Sequence, residues 1–283
     1  MAISKARRLV SDLGIQSYPI DAFGIAQSLG FEVRLSDKLA PGEAGKLIPL
    51  GDRKIILLNQ NDHPYRQRFT VLHEVAHHVL GVPSIHGERL GGSELERCKG
   101  RPREEMICDS FAAECLVPWR LIKPFADELE FNAANIDLLA DKFEASRPCV
   151  ASRFAQVSCG HLAFVPVEDG IVRNAITSKS LREKKIWIDT GIQVPHNSAV
   201  AKVLASGGEH AAADLDGTDW SSSDAAGCFV VREEALHSAH YGQTLSLLTF
   251  EEGATSVHND SRAAEDEDVL LSELTGYASW SKK

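Results

Sequence analysis

Thr70-Val-Leu-His73-Glu74-Val-Ala-His77-His78-Val-Leu-Gly81 carries more information than any other part of this sequence. His73 and His77 stand four residues apart, one helical turn, so both imidazoles leave the same side and can reach one ion at about 2.0–2.1 Å. Phe69, Leu72, Ala76 and Val79 recur at steps of three, four and three, an apolar stripe that predicts a helix over 65–80. Gly81 suits the left-handed residue that closes such a helix. Glu74 follows the first histidine and is placed to take a proton from water as attack on a carbonyl begins. Chance alone would put H-E-x-x-H in about 3% of chains of this composition, and seldom on an amphipathic helix. His78 is rotated about 100° from His77 and reads as an ordinary histidine.

A catalytic zinc takes three protein ligands and keeps one position open. The next helix, expected from Arg103 to Leu116 and stopped by Pro118, offers Glu105 and Asp109 on one face. Glu105 would complete the ligand set for one zinc ion per chain, with Glu104 as fallback. Asp109 would hydrogen-bond the far nitrogen of a ligand histidine and fix its tautomer. On its own the pair reads as a solvated acidic face; after H-E-x-x-H it does not. Cys108 is expected to be buried rather than coordinating. His63, Tyr65 and His86 are candidates for stabilising an oxyanion, and nothing in the sequence separates them.

Working outward, the chain opens with a short helix to Leu13 and a second one capped by Asp21 and stopped at Gly30. Phe31–Leu35 alternates like a strand, and 46–50 with 54–58 flank Gly51-Asp52-Arg53 as a hairpin. Pro49 marks the first arm as an edge strand, because proline removes a ladder donor. A charged, Gly-containing loop fills 82–102, and helical segments follow at 119–130, 135–143 and 148–157. Beyond His161 the texture turns to strands, at 162–167, 185–189, 227–231 and 245–250, around a helix near 199–205.

The 283 residues are 43% hydrophobic and 25% charged, a globular composition with no stretch long enough to span a membrane. Ser11 and Asp12 interrupt the apolar run that a signal peptide needs, so the expectation is a cytoplasmic protein. The six cysteines form no C-x-x-C pair and read as reduced and mostly buried. Residues 1–160 carry 20 basic against 21 acidic side chains, and 161–283 carry 10 against 19. A C-terminal part with that balance repels phosphate backbones, and the asymmetry places a domain boundary near 160.

Three separated stretches occur in the order of a known family: Pro19-Ile-Asp to Val33, Arg68 to Gly81, and Glu105-Met-Ile-Cys-Asp109-Ser-Phe-Ala-Ala-Glu-Cys-Leu-Val-Pro118. They resemble the ImmA/IrrE family of zinc metallopeptidases, with Cys108, Asp109, Cys115 and Val117 departing from the usual pattern. The resemblance implies an α+β architecture: a zincin-like metallopeptidase domain over 1–118, a helix-turn-helix-like module over 119–160 and a C-terminal α+β GAF-like domain over 161–283. It implies a zinc endopeptidase whose substrate is an XRE-type helix-turn-helix repressor, cleaved to derepress stress-response and DNA-damage genes. Direct DNA binding is not expected, because 132–160 sets Lys142, Arg147 and Arg153 against Asp137, Asp141 and Glu144. Glu144 also stands where the turn of such a module usually has glycine. The alternative reading is a DNA-binding regulator with a structural zinc site, but such sites are closed, usually by four Cys or His ligands.

Overall fold

The computed structural model describes residues 1–40, 42–50, 53–83, 102–238 and 242–253. Two helices open the chain, α1 (Ala2–Asp12) and α2 (Ala22–Ser28). Asp21 caps α2 by accepting from the Gly24 amide at 2.8 Å, and Gly30 leaves it with φ 82°. Strands β1 (Phe31–Ser36), β2 (Gly45–Leu50) and β3 (Arg53–Asn59) make a sheet in the order β1-β3-β2. β1 runs parallel to β3 and β2 antiparallel to it, which leaves β2, the strand with Pro49, at an edge.

Helix α3 (Pro64–Leu80) lies across this sheet, with His63 and Pro64 at its start and Gly81 left-handed at φ 68° at its end. Gly45 sets how close β2 comes to α3. A Cβ there would meet Thr70 Cγ2 at 2.6 Å and the Leu57 carbonyl oxygen at 2.8 Å. Gly45→Ala is therefore expected to cost about 1–3 kcal/mol, read as a lower Tm in thermal unfolding. An unchanged Tm would mean that β2 shifts freely.

Four helices follow: α4 (Arg103–Leu116), α5 (Trp119–Glu128), α6 (Ala133–Phe143) and α7 (Arg147–Val157). All four contribute to the hydrophobic core that also holds α1, α2, α3 and the small sheet. Between α6 and α7 Glu144 adopts φ 47°, the left-handed conformation that glycine favours, and its carboxylate pairs with Arg68 on α3 at 2.8 Å. Ser146 then caps α7 through the Cys149 amide. In α7 every residue except Arg147 is buried or half-buried.

The C-terminal part is built on β4 (Leu162–Glu168), β5 (Ile171–Val172), β6 (Ile176–Thr177), α8 (Lys179–Glu183), α9 (Ala199–Ser206), β7 (His210–Asp216), α10 (Gly217–Trp220), β8 (Phe229–Ser238) and β9 (Gln243–Glu252). Its sheet runs β5-β4-β9-β8-β7, with β6 also on β4. Because side chains alternate along a strand, β4 and β9 serve two cores. Leu162, Phe164, Leu245 and Leu247 join the core of the helices, while Ala163, Val165, Leu248 and Phe250 join a second core with α9. Glu234 on β8 accepts the Ala133 amide at the start of α6 at 2.9 Å, a further tie between the two parts.

The mixed α+β class expected from the sequence is present. Two strand expectations change. Residues 185–189 form no strand: Ile186 and Ile188 are buried, but the Lys185 and Trp187 carbonyls accept hydroxyl bonds from Ser223 and Ser221 instead of a ladder. At 227–231 the chain begins in a 3-10 turn, and the strand runs from Phe229 to Ser238. Among the described residues no helix is long and apolar enough to cross a membrane. Cys108, Cys115 and Cys149 are buried and Cys159 and Cys228 exposed, none of them in a disulfide. The acidic C-terminal stretch and most of the loop after Pro83, with His86, lie outside the described residues.

Glu233 on β8 is fully buried. It accepts from the Ala199 amide and the Trp220 indole on Oε2, and from the Val200 amide and the Ser246 hydroxyl on Oε1. Burial pushes its carboxyl above the ordinary range, and these four donors pull the other way. A carboxyl raised on folding stabilises the protein below its unfolded value, and that contribution is lost as pH rises through the folded value. The Tm of the protein minus that of Glu233→Gln is thus expected to fall with rising pH above about 4.3. A difference that stays constant with pH would contradict this.

Candidate metal centre

Helices α3 and α4 pack side by side and turn His73, Glu74, His77 and Glu105 inward; all four are buried. His73 Nε2 lies 3.1 Å from His77 Nε2 and 3.1 Å from Glu105 Oε2, and His77 Nε2 is 3.6 Å from Glu105 Oε1. Ligands about 2.0–2.1 Å from one tetrahedral ion stand about 3.3 Å apart. The three side chains therefore fit a metal, and they form the group among the described residues that can hold one. Glu105 rather than Glu104 completes it.

The far ring nitrogens are held as well. His73 Nδ1 is 2.9 Å from Asp109 Oδ1, the partner expected from the i, i+4 spacing on α4. His77 Nδ1 faces the Val82 carbonyl at 3.4 Å, a contact that sequence reasoning missed. It follows from the way α3 ends: Gly81 turns left-handed and the Val82 amide folds back onto the His77 carbonyl at 3.0 Å. Gly81 was the available signal.

The electrostatics favour a cation. Burial pushes the His73 imidazole down, but the bonds to Asp109 and Glu105 outweigh it and lift the ring to about 9. The same carboxylates that favour a proton on His73 would favour a divalent ion held by His73, His77 and Glu105. Burial, followed by the charges of Glu105, Asp109 and Glu74, pushes the Cys108 thiol up to about 12. Cys108 is a protonated packing residue, not a thiolate ligand.

His63 and Tyr65 do not join the centre. His63 caps α3 through the Tyr65 amide, and the Tyr65 hydroxyl donates to Asp141 at 3.4 Å. Tyr65 is eight residues, about 12 Å along the helix, from His73. Burial and Asp141 raise its phenol, so it stays protonated.

Beside His77 opens a cleft of about 490 Å³, lined by Leu47, Lys54, His77, His78, Gly81, Val82 and Pro83. Lys54 Nζ donates to His78 Nε2 at 2.8 Å. Burial and the Lys54 charge push the His78 imidazole down, which keeps it neutral and able to accept. Edge strand β2 supplies Leu47 to the same cleft.

Residues 26–154 match the profile of the IrrE N-terminal-like domain, Peptidase_M78. The match runs from within α2 to within α7 and includes every residue of the centre. A solved structure described as a Mycobacterium tuberculosis transcriptional regulator superposes with a TM-score of 0.58 at 15% identity, covering 88% of this chain and 87% of that one. At that identity the likeness is one of fold. No curated protein matches the chain. With its two helices bringing His73, His77 and Glu105 together inside the matched segment, residues 26–154 are similar to the IrrE N-terminal-like domain in both sequence pattern and candidate metal group.

Proposed function

We propose that the chain is a zinc-dependent endopeptidase that cleaves an XRE-type helix-turn-helix repressor and so derepresses stress-response, DNA-damage genes in the cytoplasm. The observation that carries this reading is the convergence of the buried His73, His77 and Glu105 within reach of one ion. Zinc held by these residues would polarise a substrate carbonyl and make water more acidic. Glu74, one residue from His73, serves as general base and returns the proton to the leaving amine. Asp109 keeps the His73 ring oriented, and Val82 does the same for His77. Edge strand β2 offers backbone groups to an extended segment, so the cleaved stretch of substrate is a loop or unfolds locally.

Protein purified without chelators is expected to carry one zinc per chain by elemental analysis, and His77→Ala to carry less than a tenth of that at equal concentration. Equal metal content in the two would remove the site. The functional test compares new N-termini in host cells carrying the protein or Glu74→Gln after DNA damage. One or two new termini inside a helix-turn-helix repressor, absent with Glu74→Gln, support the reading. Identical termini sink it.

The second reading, a DNA-binding regulator with a structural zinc, draws on the likeness in fold to a Mycobacterium tuberculosis transcriptional regulator. Helix α7 would be its recognition helix. Yet its exposed Arg147 is paired with Asp137 at 3.0 Å, and Arg153 lies in the core. Salt-dependent, sequence-specific duplex binding by the full chain would revive it.

A further inference from the structure

We propose that Lys54 makes the cleft beside His77 selective for an acidic side chain on the polypeptide held there, an inference that rests on the peptidase reading. On β3 the side chains of Lys54, Ile56 and Leu58 share one face. Ile56 and Leu58 are fully buried under α3, and Lys54 takes the next place in that row. A cation at the end of an apolar row is costly to desolvate and is not needed for packing.

Its head group is held in place. The Lys54 ammonium lies 5.5 Å from the centroid of the Phe31 ring and donates to His78 Nε2. Phe31 meets the His78 ring edge-on at 5.3 Å, so the three side chains brace one another. Among the described residues no carboxylate forms an ion pair with Lys54, and no acidic side chain lines the cleft. The contacts made by Lys54 are to the His78 and Phe31 rings, neither of which bears a negative charge.

The cleft adjoins the candidate metal group through His77. It runs between Leu47 of the edge strand and Val82, the residue whose carbonyl faces His77. A side chain entering there lies beside the Lys54 ammonium, where an opposite charge is favoured and a like charge repelled. Acidic residues are thus selected, and basic ones rejected, at one position near the cleaved bond.

The test uses the zinc-loaded full chain and quenched fluorescent peptide pools, each with Asp, Gln or Lys fixed at one position and the others randomised. At one position the Asp pool is expected to be cleaved about tenfold faster than the Lys pool, a ratio that shrinks at high salt. Lys54→Glu is expected to invert the ratio. Lys54→Gln, which keeps a donor for His78, is expected to bring it close to one. An acidic preference that survives either substitution overturns the inference, as does cleavage that Glu74→Gln abolishes but that is indifferent to charge at every position. Pools left uncut by the unaltered chain, with Glu74→Gln equally silent, overturn the peptidase reading itself and this inference with it.

Discussion

Glu74→Gln is expected to lower kcat for cleavage by about 10²–10⁴-fold, with KM held and one zinc per chain retained. The substitution keeps the shape and one acceptor oxygen of a fully buried side chain but removes its ability to take a proton. His73, His77 and Glu105 are untouched, so metal content and Tm should stay close to those of the unaltered protein. That combination separates chemistry from folding. A variant that loses both zinc and activity would assign Glu74 a structural part. One that cleaves within threefold of the original with zinc bound would remove it from the reaction.

Arg153→Met is expected to destabilise the fold by about 3–5 kcal/mol, the usual cost of stranding one member of a buried ion pair. The Arg153 guanidinium donates to Glu114 at 2.7 Å, to the Val117 carbonyl at 3.1 Å and to Gln156 at 2.7 Å. Glu114, 1% exposed, also accepts the Trp119 amide at 3.0 Å and pairs with Arg7 at 3.3 Å. One carboxylate thus ties α4 to α1, α5 and α7. Removing the cation leaves it buried beside Arg7, whose side chain is half exposed and worth about 0–1 kcal/mol. At roughly 2–4 °C per kcal/mol for a chain of this size, Tm should fall by about 6–20 °C. The double variant Arg153→Met with Glu114→Leu should recover much of that, because an apolar replacement of the whole pair is often neutral. A single-variant loss under 1 kcal/mol would show that apolar packing alone joins α4 to α7.

The first 160 residues were largely readable because their signals are local. Asp21, Gly30, Gly81 and Ser146 mark helix ends by backbone chemistry, and α3 announces itself by its stripe. Two histidines of the metal group were readable for the same reason, from their i, i+4 spacing on α3, while Glu105, 32 residues away, was readable only as the acid that follows H-E-x-x-H. Beyond residue 160 the decisive partners are distant in sequence. His210-Ala-Ala-Ala-Asp-Leu-Asp216 gives little sign of strand, and Arg232-Glu-Glu-Ala-Leu-His-Ser238 favours a helix. Both are strands because β8 pairs with β9 and because the helix start at Ala199 receives Glu233. The alternation at 185–189 misled in the opposite direction: burial of Ile186 and Ile188 needs no ladder when serine hydroxyls reach the carbonyls. Lys54 was invisible in a charged hairpin until the register placed it on the inner face.

The sheet made by β4 and β9 has consequences for how the molecule opens. Its strands are a party wall, with Leu162, Phe164, Leu245 and Leu247 on one side and Ala163, Val165, Leu248 and Phe250 on the other. Melting either side strips the wall of half its cover, so the two halves should exchange amide hydrogens as one cooperative unit rather than as two. Anything that tightens the far side, around α9, would then slow the fluctuations of α7 and of the helices packed with it. A cut after Gly160 would release no self-sufficient fold; it would lay bare a greasy flank on each fragment.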